Sequence, residues 1–173
     1  MKRLAVAGAI AAILTSTVAV APAFAGSGGA SKDTFPVSFM LSASACPNLP
    51  AGTTVNGVGV EKSITRTRTS HDGVTTVGNT THAFGTAVDQ DGNTYRFNYS
   101  NEFRVSNTLD DPGAFSGKMT DSFSLAGAGP ARLHNGFLAV FTTDLASSFA
   151  FQPIHARGDP IDFTSGAAHC DPL

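Results

Sequence analysis

The stretch from Tyr95 to Val105 constrains the fold of this chain more than any other feature. Its odd-numbered positions are aromatic or aliphatic and its even-numbered positions are polar or charged, except that Asn101 stands among the apolar positions. Such alternation is typical of a β-strand that has one face in a hydrophobic core and the other face in water. The stretch therefore predicts a half-buried strand with one polar side chain, Asn101, on its buried face.

The rest of the chain repeats this kind of pattern in short segments that are separated by turns rich in Gly, Pro, Asn and Asp. Enrichment in Thr, Val and Phe favours strands, and no convincing amphipathic helix follows the first 25 residues. We predict an all-β fold, an antiparallel meander of about eight strands that forms a closed or nearly closed barrel, with a β-sandwich as the alternative. The predicted strands span residues 35–43, 53–69, 74–88, 94–106, 115–126, 133–143, 149–155 and 161–164.

The first 25 residues have the three parts of a secretory signal peptide: a basic head, an apolar run and an Ala-x-Ala site that ends at Ala25. The alternative is an uncleaved membrane anchor, but the polar residues 15–17 weaken the apolar run. Cleavage leaves 148 of the 173 residues, which fits one domain with a sizeable core. We predict a secreted protein of the bacterial export type, with a flexible linker at 26–34 and a single all-β barrel domain at 35–173.

The charge balance of the mature chain argues against some classes of partner. Loss of Lys2 and Arg3 with the signal peptide leaves nine basic and 13 acidic residues, a net charge of −4. A mildly acidic chain has no electrostatic reason to bind DNA, RNA or an anionic membrane surface. We therefore predict no nucleic-acid partner and no membrane association after cleavage, while the oligomeric state stays open.

The two cysteines, Cys46 and Cys170, lie near opposite ends of the mature chain. Export carries them into an oxidising compartment, where a pair of cysteines usually forms a disulfide. We predict this bond, which would stabilise the fold by roughly 4–5 kcal/mol in the chain-entropy model. The alternative, a catalytic thiol, has less support because neither cysteine lies beside a basic cluster or a helix start.

Two segments, Cys46–Thr53 and Asp89–Tyr95, resemble small exported bacterial proteins of unknown function. This resemblance covers about a third of the mature chain and implies no chemistry. In architecture, the predicted fold is similar to the eight-stranded barrels of the allene oxide cyclase and dirigent type, but no motif of those families matches residue by residue. Lipocalins share the strand count, yet their Gly-x-Trp signature is absent because the chain has no Trp.

The hairpin turns predict which residues face one another, because a turn sets the register of its two strands. A two-residue turn at 91–92 puts Asn101 opposite His82, and a three-residue loop at 71–73 puts Lys62 opposite His82. The same reasoning at the next two turns extends the row across five neighbouring strands. The predicted polar row is Lys62, His82, Asn101, Asp121 and Asn135.

A polar row inside an apolar core predicts either a satisfied structural layer or a functional site. In the functional interpretation, His82 is the general base or proton shuttle, and Asp121 is its orienting partner or the acid. Arg66 would mark a mouth that prefers acidic ligands, or else a solvated rim. The predicted ligand-binding residues are Lys62, Asn101, Asn135, Tyr99, Phe84 and Arg66.

Three functions remain open from the sequence. The leading prediction is a secreted β-barrel that binds a small, partly apolar ligand in its interior. The second is a cofactor-independent cyclase or isomerase that uses the His82 and Asp121 layer, and the third is an extracellular interaction protein or inhibitor with a filled core. No cofactor or metal is predicted, because no cofactor motif and no His-x-His or His-x-x-x-His spacing occurs.

Overall fold

A computed structural model describes residues 28–145 and 149–159, with nothing but strands, turns and loops in them. Each strand pairs with the next one in antiparallel fashion, in the order β1 to β7, which confirms the predicted all-β meander. The described sheet is open, with β1 and β7 at its edges. The predicted strand at 161–164 lies outside the described residues. The strands are β1 (Gly29–Ser42), β2 (Thr54–Thr69), β3 (Thr75–Asp89), β4 (Thr94–Asn107), β5 (Phe115–Gly127), β6 (Leu133–Thr143) and β7 (Phe149–Gly158).

Strand β1 begins at Gly29, six residues before the predicted start at Phe35. Residues 29–34 therefore belong to this strand and not to the predicted linker. These residues pair with the far end of β2, where Gly29 faces Thr67. Their side chains are all exposed, so their composition carries no burial signal. Backbone hydrogen bonds alone place them in the sheet, because strand pairing does not require an apolar side chain.

The sheet curls strongly, so that β1 packs across its concave face. The ring of Phe39 lies 4.9 Å from that of Phe97 on β4 and 6.0 Å from that of Phe123 on β5, both edge-on. Gly59 and Gly85 face one another beneath the Phe97 ring, and a Cβ on either would lie 2.7 Å from that ring. Glycine at these two positions provides the space into which the ring packs.

Two hydrophobic clusters lie on the concave side. The larger one lies towards the 89–93 hairpin and includes Tyr95, Phe97, Phe123 and Leu125, and the smaller one combines Val77, Val105, Phe115 and Phe141 at the other end of the strands. Cys46 joins the larger cluster and is only 1 % exposed. Cys170 lies outside the described residues, so the disulfide stays a prediction.

The hairpins at 70–74 and 89–93 have the same geometry, and this decides the register of β4. In each, three residues form the loop, and the third is a glycine with positive φ, Gly73 at 90° and Gly92 at 84°. The predicted two-residue turn at 91–92 is therefore wrong by one residue. As a result Asn101 faces Thr81 rather than His82, and Tyr99 faces Ala83.

Candidate functional site

The predicted polar row is divided between the two faces of the sheet. Odd-numbered residues of β1 to β6 point to the concave inner face, and even-numbered residues point to the outer face. A one-residue change of register moves a whole strand's side chains to the other face, and this is what separates the row at β3 and β4. The inner face carries the side chains of Tyr99, Asn101, Asp121 and Asn135. The outer face carries those of Lys62, His82, Phe84 and Arg66.

The structure therefore does not bring the predicted catalytic pair together. His82 is exposed on the outer face, whereas Asp121 is buried on the inner face with 7 % of its surface exposed. The sheet itself lies between their side chains, so His82 cannot take a proton from Asp121 or be oriented by it. Arg66 is also exposed on the outer face, so it does not form a mouth to the interior.

Other parts of the predicted register are confirmed. Lys62 faces His82, as the three-residue loop at 71–73 predicts, and Asn101 faces Asp121. The register of β5 and β6 differs by two residues, so Asp121 faces Phe137, and Asn135 faces Phe123 two pairs further along. A shift of two residues keeps each side chain on its face, and Asn135 is buried on the inner face with 1 % exposed.

Asp121 accepts two hydrogen bonds from neighbours on β4. The Tyr99 hydroxyl donates at 2.9 Å and the Asn101 amide donates at 2.8 Å, and both bonds end on Oδ2. Within the described residues, no donor contacts Oδ1 and no cation pairs with this carboxylate. A buried carboxylate is stabilised by further donors or by a cation, so Oδ1 is suited to a ligand that brings one.

A network of neutral polar groups continues this layer across β2 and β3. The Asn79 amide donates to Ser63 Oγ at 2.8 Å and to Thr65 Oγ1 at 2.9 Å, while the Thr81 hydroxyl donates to Asn79 Oδ1 at 2.8 Å. Thr81 faces Asn101, so this network lies beside the hydrogen bond between Asn101 and Asp121. These residues replace Lys62 and His82 in the predicted row, and the repeated Asp-Gly hairpin was the sequence signal that could have identified them.

Half-buried apolar side chains lie next to this polar layer. Phe103, Met119 and Phe137 point to the inner face beside Asn101 and Asp121, and each keeps part of its surface accessible. The Phe137 ring packs edge-on against Phe151 of β7 at 5.4 Å. We call the surface formed by Asn79, Asn101, Phe103, Met119, Phe137 and the Asp121 carboxylate the concave cleft.

Glu61 is a second carboxyl on the inner face that sequence reasoning missed. It is half-buried on β2 and faces Ala83, which in turn faces Tyr99. Burial raises the pKa of Glu61 above its usual value, because removing a carboxylate from water disfavours its charged form. Its odd-numbered position in β2 was the only signal for an inward orientation.

Charge is divided between the two faces of β2 to β6. Their inner face carries Glu61, Asp89 and Asp121 and no Lys, Arg or His, whereas Glu102 is the only acid on their outer face. The inner face is thus acidic, which favours neutral or cationic ligands over anions. The basic residues on the outer face are Lys62, Arg66, Arg68, His82, Arg96, Arg104, Lys118 and His134.

Comparison of the chain with protein-family models, curated proteins and solved structures found no match. The resemblance to small exported bacterial proteins therefore stays a prediction. In the part of the chain that the structure describes, no helix has the length and apolar character needed to cross a bilayer. The described His, Cys, Asp and Glu side chains form no group of three or more that could hold a metal ion.

Proposed function

We propose that this chain is an exported protein whose concave cleft binds a small, partly apolar molecule that is neutral or cationic. The observation that carries the proposal is Asp121, a buried carboxylate with both of its hydrogen bonds on Oδ2 and none from the described residues on Oδ1. A hydroxyl or amine N–H of a ligand would supply the missing donor.

The sides of the cleft suggest the rest of the ligand. Phe103, Met119 and Phe137 offer an apolar surface on β4 to β6, while Asn79 and Thr81 offer amide and hydroxyl groups on β3. Small-molecule sites commonly combine a mostly apolar lining with a few placed polar groups. The ligand is therefore proposed to have an apolar body and at least one hydrogen-bond donor.

The alternative of a cyclase or isomerase loses its predicted general base, because His82 lies on the outer face. Glu61, another inner-face carboxyl, has a raised pKa but lies three strands away from Asp121 along the sheet. Binding without chemistry is thus the function that the inner face supports best. The third alternative, an interaction protein or inhibitor, stays a prediction.

The neutral dye N-phenyl-1-naphthylamine tests the proposal, because it combines two aromatic groups with a single N–H donor. We expect its fluorescence to rise on binding to the mature protein. Asp121→Asn should weaken this binding about tenfold or more, since a hydrogen bond to a charged group contributes about 1.5–3 kcal/mol. The asparagine carbonyl can still accept from Tyr99 and Asn101, so the fold should be kept.

Glu102→Gln is the matched control, because it removes the same charge from the exposed outer face of β4. It should leave the dye affinity unchanged. Equal affinities for wild type and Asp121→Asn would overturn the proposal, and so would an equal loss in both variants. Circular dichroism of each variant checks that the fold is intact.

A further inference from the structure

The outer face of the sheet has a depression of about 360 Å³ that lies across β3 to β7. This volume is within the range of about 300–1,000 Å³ that is typical of small-molecule sites. None of the residues assigned to the concave cleft lines the depression. Its outward-pointing side chains are His82, Phe84, Asn98, Ser100, Ser122, Ser124, His134 and Arg157.

The depression forms because two neighbouring cross-strand rows have small residues in the middle and large residues at their ends. In one row, Ser100 and Ser122 lie between His82 and the Gly136–Arg157 pair. The other row has Asn98 and Ser124 between Phe84 and His134. Serines on adjacent strands thus form a floor that carries hydroxyl groups.

Gly136 allows the Arg157 side chain to lie across β6 towards this floor. A Cβ built on Gly136 would be 3.1 Å from Arg157 Nε and 3.2 Å from Ser122 Cβ. The absence of a side chain at Gly136 therefore leaves room for the guanidinium beside the depression. Within the described residues it makes no ion pair, so its donors are available to a ligand.

Further basic groups surround the depression on other strands. His82 and His134 contribute imidazole N–H groups from opposite ends, and Lys62 Nζ lies 5.4 Å from the centre of the Phe84 ring at the rim. Asp159 directly follows β7, and its Oδ2 accepts a hydrogen bond from the backbone N–H of His134 at 2.7 Å. Positive charge, imidazole donors and serine hydroxyls thus converge on one concave surface.

We propose that this outer depression binds the anionic headgroup of a small phosphate or sulfate monoester, with the apolar part of the molecule against Phe84. Arg157 would bind two oxygens of the headgroup, because the planar guanidinium matches oxyanion geometry. Serine hydroxyls and imidazole N–H groups would donate to the remaining oxygens. The basic outer face would attract such anions, although the whole chain is mildly acidic.

Isothermal titration calorimetry of the mature protein with phenyl phosphate tests this site, with phenyl sulfate and benzyl alcohol as parallel probes. We expect at least one of the two esters to bind with a Kd in the millimolar range or tighter, and benzyl alcohol not to bind measurably. Arg157→Gln should weaken ester binding about tenfold or more. The tighter of the two esters then identifies the headgroup.

Arg104→Gln is the control, because Arg104 is an exposed arginine on the same face, four residues along β4 from Ser100. Arg104→Gln should change ester affinity by less than about twofold, since Arg104 and Ser100 are roughly 13 Å apart along β4. Equal weakening in both variants would show non-specific attraction and overturn the proposal. Failure of both esters to bind at millimolar concentration would also overturn it, as would benzyl alcohol binding as tightly as they do.

Discussion

Two buried aspartates on the inner face differ in how their oxygens are used. Asp89 is 5 % exposed and accepts hydrogen bonds from the backbone N–H groups of Asp91 and Asn93, from the Asn93 amide and from the Tyr95 hydroxyl at 2.7–3.0 Å. Asp121, by contrast, has both of its bonds on one oxygen. Asp89 therefore stabilises the 89–93 hairpin, whereas Asp121 retains capacity for a ligand.

The hydrogen bonds of Asp89 give a pH-dependent prediction. Burial would raise the pKa of Asp89, but the bonds from Asn93, Tyr95 and Asp91 outweigh it and hold the pKa below its usual value. The ionised side chain thus stabilises the fold fully above the unfolded-state pKa of about 3.9, and this stabilisation is lost as pH falls through the folded-state value. Asp89→Asn should lower the Tm at pH 7. The difference in Tm between this variant and wild type should become smaller below about pH 4.

Thermal unfolding followed by circular dichroism between pH 7 and pH 2.5 measures this gap. Asp91→Asn serves as the control, because Asp91 is exposed in the same hairpin. The interpretation would be contradicted by an Asp89→Asn variant as stable as wild type at pH 7. A gap that stays constant down to pH 2.5 would contradict it as well.

At the scale of the strands, alternation and turn residues predicted the elements well but not every register. The predicted bounds of strands two to six agree with β2 to β6 within a residue. The inner face predicted for β3 was the wrong one, because its large residues Phe84 and Val88 point outward and are 45 % and 43 % exposed. Its inner face carries Ala83, Gly85 and Ala87, so hydrophobicity alone favoured the wrong side.

The small inner residues of β3 are explained by a contact that no local pattern reveals. The Phe97 ring occupies the space above Gly85 and Gly59, and Phe39 crosses from β1 to pack against it. Whether a small residue marks a buried position depends on which ring packs over it, and that is decided by the curl of the whole sheet. The polar network that includes Asn79 and Thr81 depends instead on the register of β3 and β4, which the repeated Asp-Gly hairpin could have indicated.

This packing predicts that Gly85→Ala is strongly destabilising. The new Cβ would lie 2.2 Å from the Val58 carbonyl oxygen and 2.7 Å from the Phe97 ring, so backbone must shift. We expect a loss of about 1–3 kcal/mol or more in the free energy of unfolding, as for other overpacked cores. Urea denaturation measures this loss.

Gly78→Ala, in the same strand, is the matched control for Gly85→Ala. Its Cβ would meet only the Phe103 carbonyl oxygen at 3.6 Å, which is an ordinary contact. This substitution should be neutral or stabilising by up to about 1 kcal/mol, since alanine restricts the unfolded chain more than glycine does. Equal free energies of unfolding for the two variants would contradict the account of how the sheet packs.

At the scale of the whole molecule, the sheet separates two kinds of surface. The inner face of β2 to β6 is acidic and partly apolar, and their outer face is basic. Net charge alone predicted no binding to DNA, RNA or an anionic membrane, because it averages over both faces. Whether a charged residue stands at an odd or an even position of its strand decides which face carries its charge. The two faces can be told apart in this way only when the register of β3 and β4 is correct.

The most direct test of the central claim is native mass spectrometry of the secreted protein and two variants. If a neutral or cationic ligand binds in the concave cleft, a small molecule retained by wild type should also be retained by Glu102→Gln and be lost from Asp121→Asn. A molecule that Asp121→Asn retains as well as wild type does would contradict the claim that the ligand binds in the concave cleft.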